Sequence, residues 1–188
     1  SKVCIVTPDI VGPVNCGGVG TAYFSLATTL AKNGFLVTIA FYDTLREHNS
    51  KSFEKWIYYY RKLGLDLIYL PDTVPSAEGS TALQGSYRAY QWLKDKNFDV
   101  VHFPDMKGLG YFSLAAKRQG LAFENTHFCI GTHGSTTWHY NGGSETIKNW
   151  NDFEVIYLEQ KSVEWADSIV YPSNYMVQWM QGQGWKLP

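Results

Sequence analysis

Short apolar runs alternate with longer amphipathic segments along the chain, and this alternation restricts the possible folds more than any other feature. Each run is four to eight residues long and is bounded by turn-forming residues, as buried strands are. Strands that are apolar throughout need cover on both faces, which is typical of a parallel sheet between two helical layers. The sequence therefore predicts a doubly wound α/β fold. The six predicted strands are Lys2–Thr7, Phe35–Tyr42, Asp66–Leu70, Phe98–Phe103, His127–Thr132 and Ser168–Tyr171.

The segments between the strands have the periodicity of helices with one apolar face. The chain has 188 residues and is 45% apolar, which is enough for one domain with a substantial core. We therefore expect a single domain over residues 1–188, with the polar stretch 134–152 as a loop. The six predicted helices are Val19–Lys32, Ser52–Leu63, Thr81–Lys96, Gly110–Arg118, Phe153–Ala166 and Tyr175–Gln181.

A glycine cluster, Cys16-Gly17-Gly18-Val19-Gly20, lies between the first strand and the first helix. Glycines at a helix start let backbone N–H groups approach an anion, and the helix dipole favours negative charge there. Ten residues separate Thr7 from Gly18, too many for a dinucleotide-binding turn, and Tyr23 stands where that motif has its third glycine. No Lys-Ser or Lys-Thr pair follows, which excludes a P-loop. A different phosphate-binding loop remains, or else a plain tight turn.

The charge and the cysteine content limit the kinds of partner and the cellular compartment that the sequence favours. A formal net charge of −1 gives no electrostatic footprint for nucleic acid. Cys4, Cys16 and Cys129 are odd in number and widely spaced, which favours free thiols in a reducing compartment over a disulfide or metal framework. No apolar run is long enough to span a bilayer, although contact with a membrane surface stays open. We expect a cytoplasmic protein with no metal site.

Polar residues follow four of the predicted strands. They lie in the loop Pro8–Cys16, in Pro104–Lys107, at His133-Gly134 and in Pro172–Asn174. Ligands of doubly wound sheets bind beyond the carboxyl ends of the strands, and the fold would bring these segments to one edge. This edge is the predicted ligand site.

Five stretches in a fixed order carry a family resemblance. They are Gly17–Gly20 with the helix that ends at Gly34, Phe98–His102, Thr132–Gly134, Glu164–Ser173 and Gly184–Pro188. In this order and spacing they resemble the N-terminal half of a GT-B glycosyltransferase of the retaining family-4 type. The resemblance implies a Rossmann-like domain, one half of a GT-B fold. It also implies transfer of a sugar from a nucleotide-sugar, which is a substrate, to a sugar or sugar-containing acceptor, with no further cofactor.

The resemblance also implies roles for particular residues. Gly17, Gly18, Val19 and Gly20 would contact the donor diphosphate across the cleft. His133, at the end of a strand, would lie against the donor sugar and is the catalytic candidate; the alternative is a loop residue bonded to a backbone carbonyl. A side chain at Gly18 is expected to exclude the phosphate and to crowd the helix start.

Five residues on the same edge are candidates for acceptor binding. Asp105 either accepts a hydrogen bond from an acceptor hydroxyl or caps a turn. Lys107 either meets an anionic group of the acceptor or is solvated. The rings of two aromatic residues either stack on a sugar or anchor their loop. The full set is Asn15, Asp105, Lys107, Trp138 and Tyr140.

Four other polar residues are assigned outside the site. His102 lies inside a strand and is predicted to be a core residue. Ser173 is predicted to cap the final helix. Glu159 and Asp167 are eight positions apart, loosely like the acidic pair in the family's donor half, but they precede a strand in the wrong domain, so they are predicted to be ordinary helix-face charges.

Two other functions remain open beside the transferase. By the resemblance this chain lacks the half that holds the donor nucleotide, so the isolated domain is expected to fold but to be inactive. One alternative is a non-enzymatic carbohydrate-binding or scaffold module. The other is a nicotinamide-dependent oxidoreductase domain, for which Asp43, just after the second strand, is the one favourable residue.

Overall fold

The computed structural model describes residues 1–13, 17–42, 50–71 and 79–188, with the backbone alone described at 50–52. The strands in these residues are β1 (Lys2–Thr7), β2 (Leu36–Phe41), β3 (Leu65–Tyr69), β4 (Val100–Pro104), β5 (His127–Gly131) and β6 (Ser168–Val170). The helices are α1 (Gly18–Lys32), α2 (Ser50–Lys62), α3 (Thr81–Leu93), α4 (Tyr111–Arg118), α5 (Thr136–Gly142), α6 (Trp150–Trp165) and α7 (Asn174–Gly182). A 3₁₀ turn, Met106–Gly108, follows β4.

The six strands form one parallel sheet in the order β3-β2-β1-β4-β5-β6. The central strand β1 pairs on both sides, with Val3 opposite Val37 of β2 and opposite Val100 of β4. This is the strand order of a doubly wound, Rossmann-like sheet. The predicted fold class is confirmed.

Two apolar cores lie on opposite faces of the sheet, because successive side chains of a strand point to opposite faces. Val3 and Ile5 of β1 belong to a core shared with α1 and α2. Cys4 and Val6 belong to a second core shared with α3, α4, α6 and α7. Cys4 and Cys129 are buried and free, as expected.

Local capping explains where the helices differ from the sequence prediction. The stretch predicted as a polar loop contains α5, where the Ser135 hydroxyl accepts a hydrogen bond from the Trp138 N–H. Helix α6 begins three residues earlier than predicted because Asn149 and Asp152 form a reciprocal capping box. Ser173 stands at the start of α7, but its side chain makes no capping hydrogen bond, so that prediction was wrong.

The 3₁₀ turn packs directly on the backbone of α6. Lys107 and Gly108 both have left-handed backbone conformations, with φ of 56° and 59°. A Cβ atom at Gly108 would lie 2.4 Å from the Leu158 Cβ and 2.6 Å from its carbonyl carbon. Only glycine fits there, and the turn is therefore held close to the middle of α6.

We expect Gly108→Ala to lower the free energy of unfolding by about 2–5 kcal/mol. About 1–2 kcal/mol reflects a left-handed backbone at a residue with Cβ, and about 1–3 kcal/mol reflects overpacking against α6. Gly120→Ala is the matched control, because Gly120 has φ 69° but open space around its Cβ position. Gly120→Ala should therefore lose only the stability that corresponds to the left-handed backbone. Equal losses in denaturant unfolding of the two variants would contradict tight packing of the turn on α6.

Candidate functional site

The order of the strands creates a crevice at the carboxyl ends of β1 and β4. The chain leaves β1 toward β2 on one side and continues from β4 toward β5 on the other. Loops that diverge at such a switch point leave a cleft between them, where ligands of open α/β sheets bind. The loops after β1, β4 and β5 border this cleft, and they carry most of the predicted site residues.

The loop after β5 is held by the carboxylate of Asp105. The His133 N–H donates to Asp105 Oδ1 at 3.0 Å, and the Gly134 N–H donates to Oδ2 at 3.3 Å. Asp105 is 2% exposed, and this burial raises the pKa of its carboxyl group against the opposing effect of these hydrogen bonds. With both oxygens accepting backbone amides, Asp105 acts in this structure as a support for the His133 loop.

The ring of His133 packs against Tyr23 of α1. The two rings meet edge to face, with centroids 5.4 Å apart. Gly131 makes this approach possible, since a Cβ there would lie 2.9 Å from Tyr23 Oη and 3.0 Å from His133 Nε2. Burial lowers the pKa of His133, with Asp105 acting in the opposite direction, so the imidazole is mainly neutral at pH 7.

Tyr23 is a member of this cleft that the sequence analysis missed. It is 3% exposed, and its hydroxyl has no hydrogen-bond partner within the described part of the chain. Burial raises the pKa of the phenol well above its ordinary value, which keeps it neutral. The signal was present in the sequence, because Gly20, Tyr23 and Ala27 have helical spacing and form the buried face of α1.

The start of α1 already binds a carboxylate. The N–H groups of Gly17 and Gly20 both donate to Asp9 Oδ2 at 3.0 Å, so Asp9 caps the helix from the loop after β1. The N–H groups of Gly18 and Val19 have no partner among the described residues. Of the four residues predicted to meet the diphosphate, these two offer amides to an anion in the present arrangement.

Glu159 and Asp167 are not ordinary helix-face charges, and that prediction was wrong. Glu159 is 2% exposed and accepts hydrogen bonds from the Lys107 N–H at 3.0 Å, the Thr136 N–H at 2.7 Å and the Thr136 hydroxyl at 3.0 Å. Burial raises the pKa of Glu159 to about 7. Asp167 accepts hydrogen bonds from Lys117 Nζ at 2.6 Å and the Phe128 N–H at 2.7 Å, which ties α4 to β5.

The remaining acceptor candidates are spread along the β4 and β5 loops. Lys107 is exposed on the 3₁₀ turn. Trp138 lies in α5, where it is partly buried against the core and its ring makes an edge-to-face contact with His139. The Tyr140 hydroxyl bonds the Asp152 carboxylate. Asn15, like Cys16 and Asp43, lies outside the described residues.

His102 lies in β4 and is half-buried, away from the carboxyl end of the strand. Burial lowers its pKa to about 4, and its Nδ1 has no partner within the described part of the chain. These features agree with a neutral, largely structural histidine.

Residues 1–13, 17–42, 50–71 and 79–188 contain neither a metal-ligand cluster nor a helix suited to cross a membrane. No three or more histidine, cysteine, aspartate or glutamate side chains in these ranges are grouped as a metal ion would require. None of the helices described there combines the length and apolar character needed to cross a bilayer.

One protein-family model matches most of the chain. A family model described as Glycosyltransferase Family 4 matches residues 16–186, which include the glycine cluster and the His133 loop. No curated protein sequence matches the chain.

Solved structures resemble the fold at low sequence identity. Sucrose-phosphate synthase from Thermosynechococcus elongatus superposes with a TM-score of 0.63 at 14% identity, over 96% of this chain and 44% of that one. A Listeria monocytogenes protein assigned as a UDP-N-acetylglucosamine 2-epimerase superposes with a TM-score of 0.59 at 15% identity, over 97% of this chain and 42% of that one. Apo UGT2 from Phytolacca americana superposes with a TM-score of 0.55 at 10% identity, over 100% of this chain and 50% of that one. The chain therefore spans half or less of each of these structures.

Proposed function

The chain belongs to Glycosyltransferase Family 4, and from this premise we propose that it is the acceptor-binding half of a retaining sugar transferase. The observation that carries the proposal is the family match over residues 16–186, which covers the start of α1 and the loops after β4 and β5. The donor would be a nucleotide-sugar and the acceptor a sugar or a sugar-containing molecule. The rest of the donor pocket would lie in a second half, since the chain spans 42–50% of the structures it resembles.

The start of α1 is proposed to hold the donor diphosphate. The N–H groups of Gly18 and Val19, which have no partner among the described residues, supply two donors at the positive end of a 15-residue helix. Gly17 and Gly20 would contribute indirectly, because their amides fix the Asp9 carboxylate. A diphosphate bound there lies near the negative charge of Asp9, so its approach favours an Asp9 that is turned away or protonated.

His133 is proposed to orient the donor sugar beside the carbon that reacts. A neutral imidazole offers one donor and one acceptor nitrogen, and both suit sugar hydroxyl groups. In the proposed reaction the bond from this carbon to the diphosphate oxygen breaks and the acceptor oxygen bonds to the same face. The acceptor proton passes to the departing diphosphate, so this half needs no strong base. Asp105 would act by holding the His133 loop.

The acceptor would lie along α5 and the 3₁₀ turn. The exposed side chain of Lys107 suits an anionic group, and the partly exposed rings of Trp138 and Tyr140 suit the apolar face of a sugar. We also propose a cytoplasmic location, which the buried free thiols of Cys4 and Cys129 support, since free cysteines are usual in reducing compartments.

The test of this function compares the full-length natural protein with the 188-residue chain. We expect the full-length protein to release nucleoside diphosphate from one member of a nucleotide-sugar panel and to glycosylate an acceptor with retained anomeric configuration, measured by NMR. The 188-residue chain alone should show no turnover. Turnover by the chain alone would contradict its assignment as half an enzyme. Inactivity of the full-length protein with every donor and acceptor would favour a non-enzymatic carbohydrate-binding module.

A further inference from the structure

The buried carboxylate of Glu159 joins two segments that are far apart in the sequence. Its oxygens accept hydrogen bonds from Lys107, which follows β4, and from the backbone and hydroxyl of Thr136, which begins α5. No lysine or arginine side chain forms an ion pair with it in the described ranges. Its negative charge is therefore stabilised by these donors, and each donor is in turn satisfied by it.

The segment linked to Glu159 on the β4 side has an unfavourable local conformation. Lys107 has φ 56°, which side chains with Cβ rarely adopt, and the following Gly108 touches the backbone of Leu158. The hydrogen bond from the Lys107 N–H to Glu159 holds the turn in this conformation. Without an acceptor at this point the amide, which is partly buried, would lose its partner.

The segment linked to Glu159 on the β5 side carries His133. Asp105 binds the amides of His133 and Gly134, and Glu159 binds Thr136 two residues later. Two buried carboxylates, one from each side, thus fix residues 133–136. Because Asp105 itself directly precedes the 3₁₀ turn, displacement of that turn moves the support of His133 as well.

We propose that Glu159 is a positioning residue of the sugar-binding edge, whose ionised carboxylate keeps the 3₁₀ turn and the His133 loop in their active arrangement. This inference rests on the proposed function. When the carboxylate takes up a proton, its hydrogen bonds lose the contribution of the negative charge, and the oxygen that carries the proton becomes a donor and a weaker acceptor for the N–H group that faces it. One of the two segments is then held less tightly.

The surroundings of Glu159 bring the protonation of its carboxylate close to neutral pH. Burial is the main cause of its raised pKa of about 7, and the charge of Asp105 acts in the same direction. The charged and titratable side chains on the other elements packed against it are exposed or make other contacts, and Lys107 of the 3₁₀ turn is exposed to solvent. Lys117 of α4 pairs with Asp167, Arg118 lies over the Trp165 ring, and His139 of α5 contacts Trp138.

The experiment is a pH profile of kcat/KM for the full-length protein and its Glu159→Gln variant. Glutamine has the shape of the protonated acid and cannot ionise. The wild-type value should rise through a midpoint near pH 7. Glu159→Gln should stay low and lack this midpoint, about 10- to 100-fold below wild type at pH 8, because small misplacements at an active site have effects of this size. Glu164→Gln is the matched control; its carboxylate lies on the same helix and pairs with Lys161.

A second measurement needs no reaction. In the ¹⁵N-labelled wild-type protein, the amide resonances of Lys107, Thr136 and Gly134 should shift together with a midpoint near pH 7, and the Gly134 shift should vanish in Glu159→Gln. If Gly134 does not follow this titration, or if folded Glu159→Gln keeps the wild-type pH profile, the positioning role is wrong. Co-titration in a protein that transfers no sugar would instead leave the positioning role standing and contradict the proposed function.

Discussion

His133→Ala in the full-length enzyme is expected to lower kcat/KM by about 10²–10³-fold. Loss of one preorganised hydrogen bond near a reacting centre typically has an effect of this size. Donor KM should change little, because most of the nucleotide pocket is assigned to the other half of the enzyme. The ring also packs edge to face with Tyr23, so the variant should lose about 0.5–1.5 kcal/mol of stability. For a domain of this size that corresponds to a fall in Tm of a few degrees.

Variants at two other histidines distinguish an effect on catalysis from an effect on folding. His139→Ala changes an exposed ring six residues further along, on α5, and should leave both kcat/KM and Tm close to wild type. His102→Ala changes a half-buried ring inside β4 and should act mainly on Tm. The site assignment fails if His133→Ala melts early while the remaining folded enzyme is fully active, because His133 would then be a structural residue like His102.

The sheet could be predicted from the sequence because its signal is local. Each strand is a short apolar run, and burial on both faces leaves few other arrangements for such runs. The edge that carries the candidate site followed from the same argument, since parallel strands place their carboxyl ends together. His133, Lys107 and Asp105 were found in this way, as residues just beyond β4 and β5.

The hydrogen bonds by which Glu159 and Asp9 hold the loops at this edge were not predicted, because they join residues that are distant in the sequence. Lys107 and Glu159 are 52 positions apart, and Gly20 and Asp9 are 11 apart, so no short motif marks either hydrogen bond. A weaker signal was available for Glu159, which sits among Leu158, Ser162 and Val163 on the buried face of α6. A carboxylate within an apolar helical stripe must find buried donors, and that requirement could have identified it as more than a surface charge.

The start of α1 also corrects one detail of the sequence analysis. A Cβ atom at Gly18 meets no atom of the described residues within 4 Å outside the backbone of its own helix, and the backbone there is not left-handed. The expected crowding of the helix start by a side chain at this position was therefore wrong. Asp9 holds the turn through Gly17 and Gly20 instead, which leaves the outward side of Gly18 open. A substitution at Gly18 can thus probe the approach of a ligand without disturbing the fold.

Gly18→Val in the full-length enzyme is therefore expected to lower kcat/KM by about 10²-fold or more with its melting temperature unchanged. The isopropyl group would occupy the space where a diphosphate approaches the Gly18 and Val19 amides, and loss of such donors to a bound anion has effects of this order. Gly18→Ala, with one methyl group, should show a smaller loss. Circular dichroism and nucleotide-sugar kinetics on the same preparations measure both properties.

Gly182→Val is the matched control for Gly18→Val, because Gly182 also has open space around its Cβ position but ends α7, far from the start of α1 along the chain. It should retain full activity, which would show that valine in an open helical position is harmless by itself. Normal kinetics in a folded Gly18→Val enzyme would mean that no phosphate approaches this backbone. The Gly17–Gly20 segment would then be a turn that Asp9 closes, and the donor diphosphate would have to bind elsewhere in the cleft.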